Sequence, residues 1–387
     1  MQRITMKGKS FLDKLFISIF FLTLFVPFLL AHREEARISE MENRTLTNPP
    51  HIFNQEGNFN WSYSSDFDSW INDNVRFRTI LMEMNSTLQY QLFGKIANDN
   101  LREGLDGHLF YIEDRKVAGH QHTNLLREEE LQRYLSAMQR LSTRLSEQGI
   151  TFYYMQCYDK DSIYPEYYVE GVRQFGDMSR ANQIVEGLRK NTDVNVIPTY
   201  EALMEHKDQE MLYFKATDPA HWNDSGAYIG YTELMNFIQK DFPELPILDK
   251  TDYHIEQTEE WANIYGFTYP YSEINCHYSI KNPNATELEL DYFDPEKIIK
   301  YREHGHYYIN EDASNELKIL IVGDSFIRQF LKGDIAESFH ETLSIDWINL
   351  EILDQVLEIY EPDILVLESA EFCLDNTIPL VAEMPTP

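Results

Sequence analysis

The stretch Leu317-Lys318-Ile319-Leu320-Ile321-Val322-Gly323-Asp324-Ser325-Phe326 decides the architecture. Ile319 to Val322 is an unbroken apolar run rich in β-branched residues, the pattern of a strand buried on both faces. Gly323 stops that strand, and Asp324 or Ser325 is suited to cap a helix after it. Parallel-sheet proteins build their sites beyond the C-terminal ends of such strands, which makes Ser325 a candidate nucleophile. A helix starting here also supplies free backbone amides able to stabilise an oxyanion. Taken alone, Gly-Asp-Ser is also the sequence of a plain capped turn.

Outward from this strand, helix and strand patterns alternate. Arg127 to Gln148 carries acidic residues early and basic ones later, as a helix does, and Gly149 ends it. Thr151 to Gln156 reads as a buried strand, Met178 to Lys190 as a helix and Val194 to Ile197 as a short strand. Asp224 to Lys240 is helical again, and a last helix, Leu350 to Tyr360, feeds the strand Asp363 to Leu367. Asp106-Gly107 is a turn opening into a strand at His108 to Ile112. The alternation predicts an α/β fold with three layers and a mainly parallel sheet over residues 101–387. Residues 245–312, rich in Tyr, Asn and Glu, break the pattern and are expected to form an irregular insertion or a cap beside the sheet. Residues 32–100 read as a polar lead-in followed by one helix, in which Phe67, Trp70, Ile71, Val75 and Leu81 keep near-helical spacing.

The chain begins differently. Arg3, Lys7, Lys9 and Lys14 precede an uncharged apolar run from Leu15 to Ala31, at the short end of what spans a bilayer. A cleaved secretory signal is the competing reading, but its apolar region would be shorter and Leu29-Leu30-Ala31-His32-Arg33 is a poor cleavage site. The expectation is a signal anchor at 15–31 with residues 1–14 cytoplasmic and the rest outside the cytoplasm, a single-pass protein of the cell membrane. Across 387 residues, 64 acidic side chains oppose 33 Lys and Arg, for a formal charge of −31. That balance excludes a general nucleic-acid binder and makes a densely anionic substrate less comfortable, though a local basic pocket could still hold one. A hydrophobic share of 43% excludes a disordered acidic tail. Cys157, Cys276 and Cys373 lie far apart, and His304 and His306 have no ligand set at recognised spacing, so no metal and no cofactor is expected.

A serine hydroxyl needs a base, most often a histidine oriented by a carboxylate. Thr217-Asp218-Pro219-Ala220-His221-Trp222-Asn223 offers one: Asp218 and His221 are three apart in a turn and can face the same site. The bland alternative is a surface turn that caps the following helix, with Trp222 packed inward.

Together the Gly323-Asp324-Ser325 block and the D-x-x-H pair resemble the SGNH/GDSL hydrolase superfamily. Their order, with Asp218 and His221 before Ser325, resembles the AlgJ/AlgX alginate O-acetylation proteins and the DHHW-motif proteins. Glu42-Asn43-Arg44, the Phe67–Phe77 helix, Asp106-Gly107-His108-Leu109-Phe110-Tyr111 and Asp159-Lys160-Asp161-Ser162-Ile163-Tyr164-Pro165 agree with it. The pair has one residue more than the usual D-x-H-W, and Leu367-Glu368-Ser369-Ala370-Glu371 stands where simple esterases carry G-x-N-D. The resemblance implies acyl transfer. Ser325 would attack an acetyl donor, His221 would take its proton and Asp218 would orient His221, with the Ser325 and Phe326 amides as oxyanion donors. It also implies a polysaccharide acceptor and a polytopic membrane acyltransferase as partner. Trp222, Lys160 and Tyr164 are candidate substrate contacts. Two alternatives remain: an exported carbohydrate esterase with the same triad, and a non-catalytic glycan-binding scaffold.

Overall fold

The computed structural model describes residues 2–33, 38–39, 44–53, 57–96, 98–264, 267–294 and 296–384; Glu42 and Asn43 of the Glu42-Asn43-Arg44 motif lie outside them. The chain divides into two compact units, residues 1–98 with 261–270, and residues 99–260 with 271–387.

In the first unit, α1 (Gln2–Leu29) contains the span Phe11–Leu29, long and apolar enough to cross a membrane at a mean hydropathy of 2.0. Two short antiparallel strands follow, β1 (Ile38–Ser39) and β2 (Arg44–Thr45). The single helix expected around Phe67 is two, α2 (Tyr63–Asn74) and α3 (Arg78–Phe93). Val75 is extended at ψ 133° and Phe77 left-handed at φ 64°, which breaks the helical path. The Asn74 side chain, donating to the carbonyls of Thr47 and Trp70, offers the backbone a competing arrangement at that point.

The second unit opens with the hairpin β3 (Leu101–Glu103) and β4 (Leu109–Tyr111), then α4 (Asp114–His120) and α5 (Glu128–Glu147). The core alternation follows: β5 (Thr151–Cys157), α6 (Lys160–Ile163), α7 (Arg180–Asn191), β6 (Asn195–Val196), α8 (Thr199–His206) and α9 (Asp224–Ile238). Next come β7 (Tyr253–Ile264) and β8 (Phe267–Ile280), paired as a two-stranded ribbon of which residues 261–270 are counted with the first unit, and the short β9 (Thr286–Leu288) and β10 (His306–Ile309). The C-terminal part holds β11 (Lys318–Gly323), α10 (Ser325–Phe330), α11 (Lys332–Ala336), β12 (Glu341–Asp346), α12 (Leu353–Tyr360), β13 (Ile364–Ala370) and α13 (Leu374–Ala382).

Seven strands make one sheet in the order β6-β5-β13-β11-β12-β10-β9. The first five run parallel, and β10 and β9 close the edge antiparallel. Every residue of β13 is buried, as are all but the first of β5 and β11, which is why these strands read as continuous apolar runs. Helices α5, α7 and α13 form one packed group and α8, α9, α10 and α11 another, so the α/β fold class holds. Residues 245–312 are not an irregular insertion. They contain the ribbon and two strands of the main sheet, and β7 hid from pattern reading because most of its side chains face solvent. In the parallel register Cys157 lies beside Ala370 and Gly323 beside Asp346, so the C-terminal ends of four strands share one edge.

Candidate active site

Ser325 is the first residue of α10, at that shared edge. The turn before it is stitched to β13: the Asp324 amide donates to Glu368 Oε2 at 2.7 Å, and Asp324 Oδ2 accepts from the Ala370 amide at 2.7 Å. Gly323 is required by that contact, because a Cβ there would sit 2.6 Å from the Glu368 carboxylate. Burial, followed by the neighbouring Asp324 charge, pushes the Glu368 carboxyl well above its ordinary value. Asp324 Oδ1 caps α10 by accepting from the Phe326 amide at 3.1 Å. Phe326 is therefore corrected as an oxyanion donor, since its N–H is already committed. The Ser325 N–H, at the first helical position, has no intrahelical acceptor and remains the donor beside Oγ.

Asp218 and His221 lie on a closed loop between Leu212 and Asn223. A bridge pairs Tyr213 with Trp222, and the Asn223 amide donates to the Leu212 carbonyl at 3.0 Å. The Asp218 carboxylate does two jobs. Oδ1 accepts from the Ala220 and His221 amides at 2.8 and 3.2 Å, which shapes the turn, and Oδ2 meets His221 Nδ1 at 2.7 Å. The three-residue spacing permits both at once. On the far side of the ring His221 Nε2 lies 2.7 Å from Ser325 Oγ. With Nδ1–H directed at Asp218, Nε2 is left to accept the serine proton. Burial acts to raise the Asp218 carboxyl, but the imidazole and the turn amides outweigh it and hold the group down at about 2. The rings of Phe326, Phe330 and Phe372 surround the imidazole at 5.0, 5.8 and 6.5 Å between centroids.

One group that holds this loop lies outside every motif. Glu273, on β8, accepts from the amides of Lys215, Ala216 and Thr217 at 2.6, 2.9 and 2.5 Å and from the Thr217 hydroxyl at 2.6 Å. Asn275, also on β8 and buried, donates to the Thr217 hydroxyl at 3.1 Å and to Glu260 at 2.9 Å. The ribbon thus fixes the three residues that lead into Asp218. No spacing in the sequence links Glu273 to Thr217.

Of the three candidate substrate contacts, Trp222 packs inward, the favoured reading of that residue, and Lys160 and Tyr164 are corrected. Trp222 has no exposed surface; it stacks edge-on against Phe326 at 4.9 Å and fills the space that leaves Gly230 no room for a Cβ. Lys160 is buried, with Nζ donating to the carbonyls of Leu109, Phe214 and Lys215 at 2.5, 3.1 and 3.2 Å. Tyr164 is buried as well, its hydroxyl donating to the carbonyls of Lys207 and Glu210 and accepting from the Leu212 amide. All three are buried and support the loop from behind.

A family model described as the SGNH hydrolase-like domain of acetyltransferase AlgX matches residues 101–333. The structure is similar to that of Bacillus cereus PatB1, with a TM-score of 0.52 at 19% identity over 74% of this chain and 100% of that one. PatB1 with a sulfonyl adduct gives the same values. A DHHW family protein from Eubacterium siraeum is similar at a TM-score of 0.49 and 14% identity, over 74% of this chain and 96% of that one. No curated protein matches the chain.

Proposed function

The chain belongs to the family of AlgX-type SGNH hydrolase-like acetyltransferase domains, and on that premise we propose that it is a membrane-anchored O-acetyltransferase working outside the cytoplasm on a polysaccharide. The observation that carries this reading is the line Ser325 Oγ–His221 Nε2–His221 Nδ1–Asp218 Oδ2, two contacts of 2.7 Å each. In the first half-reaction Ser325 Oγ attacks the acetyl carbonyl carbon of an ester donor and its proton passes to His221 Nε2. The Ser325 amide faces the developing oxyanion. Collapse breaks the bond to the donor alcohol, which leaves with the proton from His221, and acetyl-serine remains. In the second half a sugar hydroxyl gives its proton to His221 and attacks the acetyl group. Ser325 then leaves and recovers the proton. Asp218 keeps the imidazole in the tautomer both halves need and balances its transient charge. The apolar span of α1 is read as the anchor, and a polytopic acyltransferase as the source of the acetyl donor.

The test uses the full chain in detergent with p-nitrophenyl acetate and with a sulfonyl fluoride. Ser325→Ala and His221→Ala are each expected to reduce ester cleavage by about 10³-fold or more, with the double variant little worse than either. Mass spectrometry is expected to place the sulfonyl group on Ser325. Full cleavage in Ser325→Ala, or labelling elsewhere at equal rate, would sink the triad. Acetylated oligosaccharide in the products separates transfer from hydrolysis.

A further inference from the structure

Beside the candidate triad the domain holds a cavity of about 120 Å³ walled by α9, α10 and the ribbon. Gln329 and Phe330, both on α10, line it. Gln329 lies four residues after Ser325 on α10, hence on the same helix face one turn along. The Phe330 ring is the one 5.8 Å from His221. Across the cavity Tyr228, Tyr253 and Tyr278 form a cluster with ring centroids 5.6 to 5.9 Å apart. Tyr228 and Tyr278 are only partly buried. Asp224 and Asp334 complete the lining.

These groups match one ligand chemistry. Aromatic faces take the C–H face of a sugar ring, and carboxylate oxygens accept from its hydroxyls. Asp334 accepts from the Tyr253 hydroxyl at 2.5 Å through Oδ1, and Asp224 from the Tyr278 amide at 2.7 Å through Oδ2. Asp334 also accepts from its own backbone amide, whereas among the described residues Asp224 Oδ1 has no hydrogen-bond donor. Lys250 Nζ, 5.5 and 6.0 Å from the Tyr228 and Tyr278 ring centroids, is paired with Glu210 at 2.9 Å, which offsets its charge locally. A uronate ring would bring a third carboxylate against Asp224 and Asp334, within a chain whose formal charge is already −31. We propose that this cavity is the acceptor-sugar subsite and that it selects an uncharged sugar ring over a uronate, so that the polymer acetylated is a neutral glycan. The proposal rests on the acyl-transfer reading for its meaning, but its binding step can be measured apart from it.

Full-length Ser325→Ala protein in detergent is titrated with maltotriose, chitotriose and trimannuronate by calorimetry and ligand-observed NMR. At least one neutral trisaccharide is expected to bind, at least about tenfold tighter than trimannuronate. Tyr278→Ala or Tyr228→Leu, added to that background, is expected to weaken it about tenfold, the loss of one aromatic contact. Melting curves check each variant, and where Tyr278→Ala fails to fold, Tyr228→Leu decides. Equal or tighter binding of trimannuronate, no binding of either neutral sugar, or binding that survives both tyrosine replacements overturns the proposal. Wild-type ester cleavage keeps the two readings distinct. Cleavage without sugar binding removes the subsite and leaves the triad, whereas sugar binding without cleavage removes the triad and leaves the subsite.

Discussion

The serine and the histidine of the site reach each other from two unlike scaffolds. Ser325 stands at the end of a central strand, fixed by chain continuity and by Asp324, whose carboxylate and amide tie the turn to Ala370 and Glu368. Asp218 and His221 stand on a loop outside the sheet. That loop is held by a buried lysine behind it and by Glu273, which reaches it from a solvent-facing ribbon. The nucleophile is thus placed by the strand order of the α/β sheet, whereas the base is placed by an accessory element. The difference teaches where the geometry is vulnerable. A catalytic hydrogen bond misplaced by about 1 Å can cost about 10²-fold in rate, so the accessory side carries control over activity that the sheet side does not.

The largest expected effect comes from the group that serves both scaffolds. Asp218→Asn is expected to lower ester cleavage by about 10³- to 10⁴-fold, because an amide can present its NH₂ to Nδ1 and favour the wrong imidazole tautomer. Steady-state rates for purified wild type and variant read this directly. A fall of less than about tenfold would mean that the loop orients His221 without Asp218, and the comparison would lose its centre.

Next in size is Glu273→Gln. Three donors now meet Oε1 and the Lys215 amide meets Oε2; the glutamine amide loses the negative charge and turns an NH₂ against at least one of these N–H groups, so the common anchor of Lys215 to Thr217 is weakened. The expected loss is about 10²-fold in kcat with little change in melting temperature, since the sheet does not depend on this contact. Glu273→Asp, a shorter carboxylate, should recover part of it. Equal loss in kcat and in melting temperature would assign Glu273 to stability instead of positioning.

How much of this was legible in the sequence follows the same division. The strand Lys318–Gly323 and the helix Glu128–Glu147 with Gly149 behind it could be read because each depends on local pattern, and the Asp218/His221 pair on spacing within a few residues; joining that pair to Ser325, 104 residues on, took the resemblance. The ribbon was illegible: a strand exposed on both faces has no apolar alternation, and the Glu273 contact spans 58 residues to Lys215. The strand Glu341–Asp346 went unread for a related reason, being short and polar at both ends. Lys160 was misread as a substrate contact because a lysine in a motif suggests solvent or ligand, and nothing local reveals three carbonyls converging on it. The Phe77 break was hidden by apolar spacing that continues across it.

The smallest expected effect, and the one that sharpens the comparison most, is opposite pH dependence on the two sides. At the sheet end Glu371 accepts from the Asp159 amide at 3.1 Å and from the Ser162 hydroxyl at 2.5 Å. Burial, then the nearby Asp159, pushes its carboxyl from 4.5 up to about 8. A carboxyl whose folded value lies above its unfolded one stabilises fully below the unfolded value, and that stability is lost as pH rises through about 8. Behind the loop the sign is reversed. Burial pulls Lys160 from 10.5 down to about 7, so its contribution is full above the unfolded value and is lost as pH falls through about 7. Raising the pH from 7 to 9 should therefore weaken the Glu371 side and strengthen the Lys160 side, leaving wild-type melting with only a small net slope. Glu371→Gln removes the first component and should make the melting temperature rise with pH across this window. Lys160→Met, less stable throughout because three buried carbonyls lose their donor, should make it fall. Identical slopes in wild type and both variants would show that neither group titrates in the folded chain. The two scaffolds would then differ in connectivity but not in electrostatics.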